Sequence, residues 1–181
     1  NTLYQVAALG RQTPEIFSAA GKLLFMADLI HYLLAGRAAS ELTLASTSQM
    51  WNPVRRAWSQ PILSALGIPA DILPEVVEPG TMLGPLREDI ARGAGMPSPP
   101  QVIAPASHDT ASAVASVPAS GAGTWGYLSS GTWSLLGIEL SAPRITPQAL
   151  EGNFTNEGGV AGTTRFLRNI NGLWLVQECR R

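Results

Sequence analysis

A short Gly/Ala/Ser-rich stretch, Pro118 to Gly123, separates two kinds of sequence. Before it, apolar residues recur at helical spacing and prolines punctuate the connectors. Beyond it, short strand-like runs are parted by glycine turns. The change predicts two domains, 1–118 and 119–181, with a hinge near Pro118 to Gly123. The 181 residues suffice for one domain or for parts of two. The chain starts at Asn1 without an initiator Met and stops at Arg181 inside a helical pattern, so a fragment of a longer protein is expected.

Within the first segment, Thr13-Pro14-Glu15 has the chemistry of a helix start. Ile16, Leu23, Leu24, Met26, Ile30, Leu33 and Leu34 then follow at roughly helical spacing up to Gly36. They predict one buried helix of about five turns, with His31 as a packed or hydrogen-bonded core residue rather than a ligand. Ser40 to Met50 is rich in hydroxyls that can cap a short helix at Ser40 or close turns locally. Ser59 to Leu66 is a further short helix, Thr81 to Leu83 a short strand, and Val102 to Ala106 a buried strand. A helix from Asp109 to about Val117 follows.

In the second segment, Trp125 to Ser129 and Thr132 to Leu140 flank Ser129-Ser130-Gly131 and predict a hairpin. Asn153 to Glu157 and Thr163 to Leu167 form a second pair around Gly158-Gly159. A last helix is expected to start near Asn169, with Ile170, Leu173, Trp174 and Gln177 on one face.

Composition excludes several classes. A formal net charge of -1 argues against nucleic acid, which requires a basic surface. No apolar run approaches the ~18 residues of a membrane span, so no membrane partner is expected. The single cysteine, Cys179, rules out an internal disulfide and fits a reducing, cytoplasmic setting; it reads as a buried small hydrophobe. With His31 and His108 the only histidines, a structural zinc site is not supported.

Three groups carry candidate chemistry. Asp109, where a strand empties into a helix, is either a catalytic base or a helix N-cap. His108 and Thr110 beside it suit a polyol or sugar, whose hydroxyls need many hydrogen bonds and one deprotonation. Ser129-Ser130-Gly131-Thr132 is either a phosphate-holding turn or an ordinary hairpin turn. It is not a P-loop, since the lone lysine, Lys22, lies far away in sequence. Asn169 and Gln177 read as a cap and a core-edge residue, or as site residues. A serine hydrolase using Ser130 is disfavoured, because adjacent His108 and Asp109 do not readily form the required hydrogen bond and the Gly-x-Ser-x-Gly elbow is absent. A glycosidase would need a partner acid such as Glu139 or Glu157, whose spacing gives no support.

The stretches 106–114 (ASHDTASAV), 127–135 (YLSSGTWSL), 153–159 (NFTNEGG) and 168–178 (RNINGLWLVQE) together resemble the FGGY carbohydrate kinases. The sequences Thr2-Leu3-Tyr4-Gln5, Leu66-Gly67-Ile68-Pro69 and Leu73-Pro74-Glu75-Val76-Val77 fit the same family, so the resemblance runs along the whole chain. It implies an α/β, actin-like and ribonuclease H-like two-domain fold, present here as a central fragment. It also implies transfer of the terminal phosphoryl of ATP, with Mg2+, to a sugar hydroxyl. The stretches 156–159 and 168–170 favour members acting on L-rhamnulose over those acting on L-fuculose. By motif position Asp109 is the proton acceptor, His108, Thr110 and Asn169 contact the sugar, Thr132 reaches the ATP phosphates, and Gln177 lies in the nucleotide site. The family's phosphate hairpin, with its acidic residue near Mg2+, is expected before Asn1, and the adenosine segment after Arg181. No metal ligand is therefore expected within this chain, and the piece alone is not expected to phosphorylate. A non-catalytic sugar-binding module on the same fold is the alternative of a different class.

Overall fold

The computed structural model describes residues 2–119 and 125–180; most of the Pro118 to Gly123 linker lies outside them. Two compact units emerge, Asn1–Ser107 and His108–Arg181.

In the first unit, helix α1 (Thr2–Gln12) and the short helix α2 (Ile16–Ala19) precede α3 (Met26–Ala35). The single long helix expected from Ile16 to Leu34 is thus broken. At Ala20 the backbone turns extended. Two residues later the chain docks on the turn at Ala70–Ile72: the Leu23 N–H donates to Ile72 O at 2.7 Å and Lys22 Nζ to Asp71 O at 2.6 Å. The tertiary partner replaces helical acceptors. Gly36 does stop α3, in the left-handed region at φ 76°. Burial of α3 is also the reverse of the expectation: Asp28 is its only buried residue, while Met26, Leu29, Ile30 and Leu33 are exposed. His31 is half-buried, its Nδ1 4.0 Å from Asp28 Oδ1.

Strand β1 (Ser40–Glu41) leads into α4 (Leu42–Ala45). The cap of α4 is the Glu41 side chain, not Ser40, which is buried in the strand. The hydroxyls behave as expected: Ser46, Thr47 and Ser48 each donate to the carbonyl three residues back. Strands β2 (Trp51–Asn52) and β3 (Ala57–Trp58) form a small antiparallel pair. Helix α5 (Gln60–Ala65) has Pro61 in its first turn. Val6, Met50, Leu63, Ile68, Ile72 and Leu73 form one core here.

Strand β4 (Val76–Val77) pairs in parallel with β1. Strand β5 (Met82–Pro85), helix α6 (Glu88–Gly93) and strand β6 (Gln101–Ile103) follow, with β5 and β6 antiparallel. The strand expected at Val102 to Ala106 is shorter and not buried along its length, with Ile103 exposed and Ala104 the fully buried residue. Its only strand partner among the described residues is β5.

The second unit begins with α7 (Asp109–Ala115). Strands β7 (Gly126–Ser130) and β8 (Trp133–Leu140) form the expected hairpin. Helix α8 (Pro147–Glu151) precedes β9 (Thr155–Gly158) and β10 (Thr164–Asn171), the expected second pair. Helix α9 (Trp174–Cys179) follows. The sheet order is β7-β8-β10-β9, all antiparallel neighbours. Val114 of α7 packs on Tyr127 and Leu167 from one face of this sheet. Gly137 is forced by that packing, because a Cβ there would lie 2.6 Å from the Tyr127 hydroxyl and 2.7 Å from Leu167 Cβ.

Candidate functional site

Asp109 is the first residue of α7, and the cap position falls to His108, whose side chain makes no capping bond. The N-cap reading of Asp109 is therefore off by one residue. Its carboxylate is 97% exposed. Oδ1 accepts from the Thr110 N–H at 2.7 Å and lies 3.4 Å from the Thr110 hydroxyl. Thr110 is buried. The turn before α7 is fastened in the first unit, where the Ser107 N–H donates to Glu41 Oε2 at 3.0 Å. Glu41 is itself buried and accepts from Thr43 N–H at 2.9 Å, from the Thr43 hydroxyl and from Leu44 N–H. Next to it, Asp28 Oδ1 accepts from the Glu41 N–H at 3.1 Å. Burial, reinforced by the Glu41 charge, pushes the Asp28 carboxyl up to about 6. Burial pulls the His31 imidazole below its ordinary value, against the Glu41 charge.

His108 is held from the sheet. Arg165 of β10 is fully buried. Its Nη2 lies 3.0 Å from His108 Nδ1 and donates to Glu157 Oε2 at 2.9 Å; its Nε donates to Gly158 O at 3.0 Å. Glu157 Oε2 is 3.6 Å from His108 Nδ1, and His108 Nε2 is 3.8 Å from Asp109 Oδ1. Burial raises the neighbouring Tyr127 phenol to about 12, against the Arg165 charge. Sequence reasoning passed over Arg165. The available signal was its phase with Leu167, which alternation places on the same strand face.

Asn169 lies in β10 opposite Leu135, not at a helix start. The strand continues to Asn171 because β8 supplies a full-length partner, so the capping reading of Asn169 fails. Alternation sets Arg165, Leu167 and Asn169 on one face of β10, the face on which α7 packs through Leu167. Thr132 is exposed in the β7–β8 turn. That turn is bound to the start of α9: Leu173 N–H donates to Gly131 O at 2.8 Å and Trp174 N–H to Thr132 O at 3.2 Å. Gly172 permits this approach, since a Cβ there would lie 2.5 Å from Gly131 O. Thr132 and the helix bearing Gln177 are thereby linked. No residue of α9 is buried, so Gln177 is surface-exposed and Cys179, expected to be buried, is exposed too. All six predicted residues belong to the second unit. A cavity of about 400 Å³ lined by Arg144, Thr146, Phe154 and Phe166 contains none of them.

Among the described residues no cluster of three His, Cys, Asp or Glu side chains could hold a metal ion. Among them, too, no helix is long and apolar enough to cross a membrane.

Comparison with known proteins defines the class. Residues 1–116 match the N-terminal domain of the FGGY family of carbohydrate kinases and residues 126–181 match its C-terminal domain. The chain belongs to the FGGY family of carbohydrate kinases. It is 45% identical over 181 residues to a rhamnulokinase of Halalkalibacterium halodurans, covering 100% of this chain and 38% of that protein. It is 45% identical over 180 residues to a rhamnulokinase of Bacteroides thetaiotaomicron, covering 99% and 37%. A xylulose kinase structure from Lactobacillus acidophilus superposes with a TM-score of 0.83 at 20% identity, covering 99% of this chain and 36% of that one. A glycerol kinase structure from Plasmodium falciparum gives 0.73 at 12% identity, covering 98% and 37%. The fold is the actin-like fold of these sugar kinases. The chain spans less than two-fifths of the length of these relatives.

Proposed function

We propose that this chain is the central part of a cytoplasmic kinase that phosphorylates L-rhamnulose at its 1-hydroxyl, with Asp109 as the proton acceptor. The observation that carries the reading is the exposed Asp109 carboxylate at the head of α7, flanked by His108 and Thr110. Identity to rhamnulokinases along the whole chain supports the choice of sugar. His108, Thr110 and Asn169 would bind the sugar, Thr132 the phosphates of ATP, and Gln177 the nucleotide. The domains are proposed as 1–118, the latter part of the sugar-binding domain, and 119–181, the start of the nucleotide-binding domain.

When bound, ATP with Mg2+ supplies the phosphoryl group and offsets its negative charge. The exposed Thr132 hydroxyl, in a turn anchored to α9, fits a phosphate contact. Asp109 orients the attacking hydroxyl and takes its proton as the sugar oxygen bonds to phosphorus and the bond from phosphorus to ADP breaks. His108 and Thr110 fix the sugar so that one oxygen faces Asp109.

Asp109→Asn in the full-length gene product tests this. Turnover should fall by ~10²-fold or more while sugar binding largely survives. Unchanged turnover would return Asp109 to a structural role, and fastest turnover on L-fuculose in a ketose panel would reverse the choice of sugar.

A further inference from the structure

We infer that Arg165 is a positioning residue that holds His108 as the neutral Nε2–H tautomer, so that the imidazole offers the sugar a hydrogen-bond donor and leaves Asp109 as the proton acceptor. The part of this that concerns the sugar rests on the function proposed above; the tautomer does not.

A guanidinium has five N–H donors and no acceptor, and it keeps its proton at any working pH. At 3.0 Å from Arg165 Nη2, His108 Nδ1 has to be the acceptor. A proton on Nδ1 would set two N–H groups against each other, which disfavours both the Nδ1–H tautomer and the imidazolium. The single ring proton then resides on Nε2, the nitrogen that faces Asp109 Oδ1 at 3.8 Å. Nη2 carries two hydrogens and meets two acceptors, Glu157 Oε2 and His108 Nδ1.

Charged groups facing the ring include Arg165 and Glu157 from the sheet and Asp109 from its own helix. Glu157 would favour a protonated ring, but its Oε2 is engaged by the same Nη2. The Tyr127 phenol is buried beside Arg165 and stays protonated, adding no charge. Arg165 is fully buried and held at Nε by the Gly158 carbonyl, so the donor aimed at His108 has little freedom to turn away.

The consequence is a division of labour. An Nε2–H meets an oxygen lone pair, so His108 reads a sugar hydroxyl or carbonyl oxygen as an acceptor. A ring kept neutral by its second nitrogen does not compete with Asp109 for the hydroxyl proton. Second partners of histidine fix its tautomer in the same way at many sites.

The direct measurement is the 15N spectrum of the full-length protein labelled at histidine, with the His108 signals identified by their loss in His108→Gln. At pH 7 the expected pattern is an unprotonated Nδ1 and a protonated Nε2. An Nδ1–H tautomer or an imidazolium at pH 7 would overturn the inference. Arg165→Met should release the ring to a mixture of tautomers and raise the sugar KM roughly tenfold with the ATP KM unchanged. Arg165→Lys, which keeps a cationic donor, should recover part of that loss. The same single tautomer in Arg165→Met as in the parent would remove Arg165 from the role. If Arg165→Met does not fold, the parent spectrum decides alone. The spectrum does not depend on turnover, so a locked Nε2–H ring in a protein that phosphorylates no sugar would sink the proposed function and leave the tautomer standing.

Discussion

Glu41 and Arg165 are both fully buried, and each holds one of two consecutive residues ahead of Asp109: Glu41 the Ser107 amide, Arg165 the His108 ring. They are held in different ways. Glu41 accepts three backbone N–H groups and one hydroxyl, three of these four bonds from Thr43 and Leu44 close by in sequence. Arg165 meets the side chains of Glu157 and His108 as well as one carbonyl. A buried charge saturated by main-chain donors fixes the backbone. One that spends a donor on an imidazole also fixes which proton that imidazole carries, and so reaches the chemistry. The first device is structural, the second chemical.

Removing either charge should separate the two roles, with the larger cost at Glu41. Glu41→Ala strands buried amides and unfastens the turn at Ser107, and should cost about 3–4 kcal/mol in urea unfolding of the full-length protein. A loss under ~1 kcal/mol would show that water replaces the carboxylate, and the contrast would fail. Glu157→Gln keeps the shape but weakens the charged hydrogen bond to Arg165, for about 2 kcal/mol; its sugar KM should also shift, whereas Glu41→Gln should change stability with little effect on KM.

A third substitution uses pH. The folded Asp28 carboxyl is raised to about 6 from 3.8. Its contribution to stability is present in full below the unfolded value and is lost as pH rises through about 6. Asp28→Asn keeps an acceptor for the Glu41 N–H and cannot ionise. It should therefore unfold at higher urea than the parent at pH 8, by up to ~2 kcal/mol, with the gap vanishing below pH 4. A gap independent of pH would mean that Asp28 ionisation is not the cause. The smallest effect belongs to an exposed counterpart of the Glu41 cap. The Thr146 hydroxyl accepts from the Ala149 N–H at 3.1 Å to cap α8, and Thr146→Ala should cost about 1 kcal/mol. A cost equal to that of Glu41→Ala would show that burial is not what sets the two caps apart.

Much of the second unit was legible along the chain. Both hairpins fall where glycine turns separate alternating runs, because antiparallel neighbours need only local information to pair. Legibility failed where a distant segment supplied the partner. The Ile16 to Leu34 pattern is helical in period, yet Ile72 O claims the Leu23 amide and breaks it. Asn169 looked like a cap because Ile170, Leu173 and Trp174 follow at helical spacing; β8 instead holds β10 extended to Asn171. Cys179 and Gln177 sit on a helix with no buried residue, and residue type does not disclose that.

His108-Asp109-Thr110, Gly131-Thr132, Asn169 and Gln177 were all marked as chemical candidates by sequence and by resemblance to the FGGY kinases. Residue type and order alone determined that much, because hydroxyls, amides and a carboxylate next to small residues restrict what a site can bind. Only the tertiary structure decided that His108 rather than Asp109 occupies the cap, that Asp109 is left exposed, and that Arg165 reaches the His108 ring. The physical reason is that a hydrogen bond across 57 residues depends on strand register and on the helix that covers the sheet. Neither is encoded in the neighbours of His108 along the chain.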